Sequence, residues 1–180
     1  MNIRSILLVV AFAALTIYAF RLNNSTPIVE VGNRYEHSAS GIAFNYPDGY
    51  VLTEEEVGNG EREQYAITLI REEDNISHEN SEGPTAITVV LYQNNIDEYT
   101  LLEWLTETND SNFKLSSGDY ESVTVAGQEA VRYRWSGLYE GETVAFLHRD
   151  NVVAISVMAI TPEDENRRVF EGVLSSLTLN

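Results

Sequence analysis

Residues 120–160, YESVTVAGQEAVRYRWSGLYEGETVAFLHRDNVVAISVMAI, decide how this chain folds. Turn signals recur within them at Ala126-Gly127-Gln128, Leu138-Tyr139-Glu140-Gly141 and Asp150-Asn151. They separate four strand-like runs, the spacing of an antiparallel meander. In the second run Val131, Tyr133 and Trp135 fall on one face and Arg132 and Arg134 on the other, because side chains alternate along a strand. The last run, Val152 to Ile160, is apolar on both faces, so it needs cover on both sides.

Downstream the pattern becomes helical. Thr161 is the expected cap, Pro162 takes the first helical position, and Glu163, Asp164 and Glu165 complement the dipole. Val169, Phe170, Val173, Leu174 and Leu177 then form a stripe to be buried. Gly172 weakens that helix by about 1 kcal/mol relative to alanine. Upstream, Thr100-Leu101-Leu102-Glu103 is a capping box that opens a short helix. Leu101, Leu102 and Leu105 are expected on its inner face, Trp104 rides with them, and the helix frays at Asn109-Asp110. Gln64 to Arg71 and Thr85 to Gln93 read as strands, joined by an acidic loop from Glu72 to Gly83. Ile42 to Tyr46 alternates and stops at the Pro47-Asp48-Gly49 turn, after which Tyr50-Val51-Leu52 starts the next extended piece. The order predicts an α+β fold, an antiparallel β-sheet flanked by helices on both faces.

The N-terminus has a different character. Ile6 to Phe20 is apolar apart from Thr16, with Arg4 before it and Arg21 after it. A spanning helix needs roughly 17–25 apolar residues, which this run approaches if Leu22 and the arginine stems extend it. Ala19 could precede a signal-peptidase cut, but Ile17 then stands where a small residue is wanted. The expectation is an N-terminal apolar helix, residues 1–22, acting as a signal-anchor, or as a signal peptide if it is cut. Residues 23–40, polar and punctuated by Pro27 and Gly32, read as a tether, and 41–180 as one domain. That order places a single-pass protein in the membrane through residues 6–20 with its domain outside the cytoplasm, or a secreted one after cleavage. Without cysteine, disulfides and cysteine-linked lipid are excluded.

The chain carries 28 acidic against 11 basic residues, a net charge of −17, and every acidic residue lies beyond the apolar run. Such a surface repels phosphate backbones and anionic headgroups, which argues against nucleic acid as a partner. It favours a basic or mixed-charge protein, or cations.

Chemistry-bearing motifs are sparse. His37, His78 and His148 stand apart in sequence, the first two in polar stretches where solvated side chains are expected and the third at a strand end. No HExxH, GxSxG, P-loop or EF-hand spacing occurs, so no catalytic residue and no organic cofactor is expected. Three acidic runs remain: Glu54-Glu55-Glu56, Glu72-Glu73-Asp74 and Glu163-Asp164-Glu165. The first two read as solvated loops and the third as helix capping. Calcium needs six to eight converging oxygens, and the glycines after Glu56 could bend Glu54, Glu55, Glu56 and Glu61 around one ion. Tyr139, between Gly137 and Gly141, is a candidate for the surface, where aromatics anchor partners, with a core or turn-packing role the favoured expectation.

Four segments taken together resemble the PsbP-like superfamily. They are Gly41-Ile42-Ala43-Phe44-Asn45-Tyr46-Pro47-Asp48-Gly49-Tyr50, the helix Leu102-Glu103-Trp104-Leu105, the turn Val125-Ala126-Gly127-Gln128-Glu129-Ala130, and the closing Val173-Leu174-Ser175-Ser176-Leu177. The resemblance spans residues 40–180. It implies an α/β/α sandwich around an antiparallel sheet, and a docking or assembly role rather than catalysis. The group includes the photosystem II extrinsic protein, a Ran-binding nuclear import factor and bacterial envelope proteins, of which the membrane-anchored type fits the apolar N-terminus. The shared motifs are structural, so no binding residue is carried over. The expected function is a non-catalytic, membrane-tethered domain that binds or assembles a protein partner in the cell envelope, with a ligand- or cation-binding module as the alternative.

Overall fold

The computed structural model describes residues 32–57, 63–75, 83–92, 98–161 and 163–180. In chain order these form β1 (Asn33–His37), β2 (Ile42–Tyr46), β3 (Tyr50–Val57), β4 (Gln64–Arg71) and β5 (Ile87–Tyr92). Helix α1 (Leu101–Glu107) follows, then β6 (Glu121–Val125), β7 (Gln128–Ser136), β8 (Glu140–His148) and β9 (Asn151–Ala159). Helix α2 (Glu165–Ser176) and β10 (Thr178–Leu179) close the chain. Every strand pair is antiparallel.

The meander forms as its turn chemistry dictates. Ala126 and Gly127 both take positive φ, 49° and 80°, the backbone of a two-residue hairpin loop whose twist matches its strands. Val125 therefore faces Gln128, and the register runs on through β7, β8 and β9 without a slip. The β8–β9 turn lies at Arg149-Asp150 rather than Asp150-Asn151, since His148 pairs with Asn151.

Among the described residues ten strands divide into two sheets, not one. The larger has the order β3-β4-β5-β9-β8-β7-β6, and the smaller is β1-β2-β10. The Pro47-Asp48-Gly49 turn, with Gly49 at φ 84°, separates β2 from β3. β10 then pairs with β2, bringing the last residues back over the start of the domain. The strand β1 falls inside residues 23–40, so the folded part begins before Gly41 and the stretch read as tether contributes a strand. Residues 1–31, including the apolar run, lie outside the described residues. Among the described residues no helix is long and apolar enough to cross a membrane.

Alternation along the central strands sorts their side chains into two cores. Val144, Phe146, Val153, Ile155 and Val157 join Ile67, Leu69, Ile87 and Val89 in one cluster, where Val169, Phe170, Val173, Leu174 and Leu177 meet them. Phe44 and Ile42 of the small sheet complete that core. The residues between, Ala145 and Val152, belong to a second cluster with Trp104, Leu105, Phe113 and Tyr133. Phe113 meets Tyr133 edge-on at 4.9 Å. Fully burying each large side chain stabilises by about 1.5–3 kcal/mol, which explains why β9 is apolar on both faces apart from Asn151 and Ser156.

Both helix starts follow capping chemistry, with one change of residue. The Thr100–Glu103 box forms, each side chain bonding the other's backbone N–H. At α2 the cap is Asp164, whose carboxylate accepts from the N–H of Asn166; Thr161 instead lends its carbonyl to the N–H of Asp164. Pro162 lies outside the described residues. Helix α1 buries Trp104 and Leu105, while Leu102, expected inside, is 38% exposed. The seven-residue helix turns only one narrow stripe inward, and positions 101, 104 and 105 occupy it.

Gly141 lies opposite Trp135 in the β7–β8 ladder, and a Cβ there would overlap the indole ring. Gly141→Ala should therefore destabilise the fold by about 1–3 kcal/mol through overpacking, read as a lower urea midpoint with an unchanged slope.

Candidate functional site

The histidine expected in solvent, His37, sits in a built corner. It ends β1 and stacks on Tyr65 of β4, ring centroids 4.3 Å apart at 15°. Its Nδ1 lies 2.8 Å from Ser40 Oγ. That serine also accepts from the N–H of Ile42, 3.3 Å, as the hinge of the turn into β2. From the other sheet, His148 Nε2 lies 2.9 Å from the carbonyl of Ser40. Arg149, in a left-handed conformation at φ 53°, donates to the carbonyls of Ala39 and Asn180. The set encloses a cleft of about 450 Å³ lined by His37, Ser40, Tyr65, Leu91, Arg149 and Asp150.

A serine beside a histidine invites comparison with a nucleophilic pair. Here the hydroxyl is buried and already engaged by the turn it closes. His148 and Arg149 spend their side chains on backbone carbonyls. The arrangement latches the two sheets together, and its left-handed arginine is held by those carbonyls. His78 lies outside the described residues.

The first acidic run belongs to a strand, not a loop. Glu54, Glu55 and Glu56 lie on β3, so Glu54 and Glu56 share one face and Glu55 takes the other. Glu61 lies outside the described residues. The Glu54 carboxylate accepts from the hydroxyls of Tyr35 and Tyr65, and these bonds hold it below the usual carboxylate range. Burial, followed by the neighbouring Glu54, pushes the Tyr35 hydroxyl far upward. Among the described residues no three or more His, Asp or Glu side chains are arranged to hold a metal ion. The second run forms a short 3-10 turn in which Asp74 pairs with Arg71.

A third cluster centres on Glu142, 4% exposed on β8. Arg132 of β7 bonds it and also bonds Glu171 of α2. Arg167 of α2 reaches it at 3.3 Å and Arg134 of β7 at 3.6 Å. The face of β7 that carries arginines thus serves to neutralise one buried carboxylate. Arg167 Nε is buried with no hydrogen-bond partner among the described residues.

A groove of about 830 Å³ opens between α1 and the end of the large sheet. Leu101, Leu102, Tyr120, Val131 and Leu147 line it. Three of these, Leu102, Tyr120 and Leu147, are exposed at 38%, 46% and 37%. Tyr139 is half-buried and donates from its hydroxyl to the carbonyl of Gly83, in keeping with the packing role favoured for it over exposure. The sequence signals a latch, a tyrosine–carboxylate cluster and a groove poorly, because they join positions with no shared period, among them Tyr35 and Tyr65, 30 residues apart, and Ala39 and Arg149, 110 apart.

The fold these elements define is PsbP-like. It is similar to the solution structure of cyanobacterial PsbP (CyanoP) from Synechocystis sp. PCC 6803, with a TM-score of 0.54 and 15% identity. That likeness covers 84% of this chain and 96% of the other. A crystal structure from Bacteroides thetaiotaomicron VPI-5482 is more distant, with a TM-score of 0.43 and 10% identity over 83% of this chain and 49% of that one. No family model and no curated protein matches the chain. Likeness at this level defines a fold, and function has to be argued from the surface.

Two substitutions test these clusters. Glu54 has a lowered pKa in the folded state, so its stabilisation is present above about pH 4.5 and is lost as pH falls through the lower folded value. Glu54→Gln should lower stability modestly at neutral pH and flatten the acid limb, so that variant and wild type converge as pH falls below 4.5. Glu142→Ala strands Arg167 and leaves Arg132 with Glu171 alone, and the two arginine side chains remain partly exposed, 28% for Arg132 and 24% for Arg167. A loss of about 2–3 kcal/mol in chemical denaturation is expected, below that of a fully buried pair.

Proposed function

We propose that this chain is a non-catalytic accessory domain, held at a membrane by residues 6–20 and working outside the cytoplasm, that binds a basic or mixed-charge protein partner. One observation carries the reading. Among the described residues the polar clusters are mostly bonded within the fold, whereas a groove with Leu101, Leu102, Tyr120 and Leu147 among its lining, mixed with Ser122, Thr124 and Glu129, stands open in a chain of net charge −17. Exposed apolar surface rimmed by charge is where protein partners dock. Opposite charge speeds their encounter. The PsbP-like fold supports an accessory role, and the two cores on alternate faces of the large sheet support the fuller α/β/α layering as part of this proposal. The calcium-binding alternative, around Glu54, Glu55, Glu56 and Glu61, makes a separate demand, a calcium-dependent rise in melting temperature.

Mild crosslinking of intact membranes should trap the chain with a protein partner, and raising salt before crosslinking should weaken capture, since exposed charges are screened. A chain freely dissolved in the cytosolic fraction with no partner would overturn the reading. Turnover in a hydrolase panel would overturn its non-catalytic part.

A further inference from the structure

We propose that the partner docks by strand addition: an extended segment carrying basic side chains pairs with the outer edge of β6 as an eighth strand of the large sheet. This rests on the docking reading above and names its surface. β6 ends the sheet, paired with β7 on one side, and among the described residues no strand pairs with its other side.

The hairpin geometry says which groups are free. Val125 and Gln128 flank a two-residue loop and so form a hydrogen-bonded pair. Alternation then turns the N–H and C=O of Thr124 and Ser122 outward, away from β7. Natural edges are blunted with lysine, proline, bulges or a row of charges. The opposite edge, β3, carries Glu54, Glu55 and Glu56 in succession. β6 reads Glu-Ser-Val-Thr-Val and keeps an unbroken register with β7.

Clefts flank this edge on both faces. The α1 groove lies on the face of Ser122 and Thr124, lined by Leu102, Tyr120 and Leu147. On the α2 side a second cleft of about 340 Å³ is lined by Val123, Val125, Val144 and Leu174 together with the Arg132–Glu171 pair. Side chains of an added strand alternate, so they enter the two clefts in turn, while main-chain bonds to Ser122 and Thr124 hold the segment.

Charge selects the occupant. Glu121 and Glu129 are exposed at this end of the sheet. A second copy of the chain would bring −17 against −17, whereas a basic segment is attracted.

The test uses the full chain in detergent micelles, panned against a random twelve-residue peptide library. Enriched peptides should alternate apolar residues and carry lysine or arginine. Thr124→Pro removes an outward donor and should weaken them tenfold or more; so should Glu121→Lys combined with Glu129→Lys, a surface change that spares folding. Lack of enrichment, or peptides that bind both variants as well as the wild type, overturns the proposal. Self-association lost in Thr124→Pro, read by light scattering, overturns the basic occupant. In membranes, a crosslinked partner retained by both variants defeats the edge assignment alone, whereas no partner from the wild type defeats the docking reading itself.

Discussion

Burial of β8 and β9 in the middle of the large sheet constrains everything around them. Val153, Ile155 and Val157 need cover on one face, and Val152 with Ala145 on the other. The chain must therefore deliver apolar side chains to both faces. Helix α2 and the small sheet supply the first set, and α1 with the Phe113 turn supplies the second. With no cysteine to cross-link it, this packing carries the stability that a disulfide would otherwise add.

Polar residues near this core are arranged so that few are wasted. Thr143, 1% exposed between the two central strands, is bonded by Trp135 Nε1 and Asn112 and lies 2.8 Å from Ser156 Oγ. Asn166, fully buried at the start of α2, joins Tyr50 to Thr85. Each bond offsets the cost of taking a polar group out of water. The same economy explains why His37, Ser40, His148 and Arg149 make a latch rather than a reactive centre: Ser40, His148 and Arg149 are engaged by backbone groups, and His37 by the Ser40 hydroxyl.

What remains open is at one end of the sheet. The short α1 helix covers the second core but leaves Leu102 outside, and the sheet runs on past it to β6. An edge flanked by clefts of mixed polar and apolar lining is a binding surface of a simple kind, in which main-chain groups give affinity and alternate side chains give selection. The charge of the domain then restricts the choice of partner.

Local chemistry was enough to read the meander, the Thr100 capping box and the stripe from Val169 to Leu177, since each depends on residues within a few positions of one another. The same holds for the strand from Gln64 to Arg71 and for the surplus of negative charge. Tertiary structure alone decided that β1 belongs to the fold, that ten strands divide into two sheets, and that Glu54 meets Tyr35 and Tyr65. It also decided that Glu142 gathers Arg132 and Arg167, and that Asp164 rather than Thr161 caps the last helix. The physical reason is separation: Ser40 and His148 are 108 residues apart, and no periodicity in the sequence records a contact made only when two sheets close.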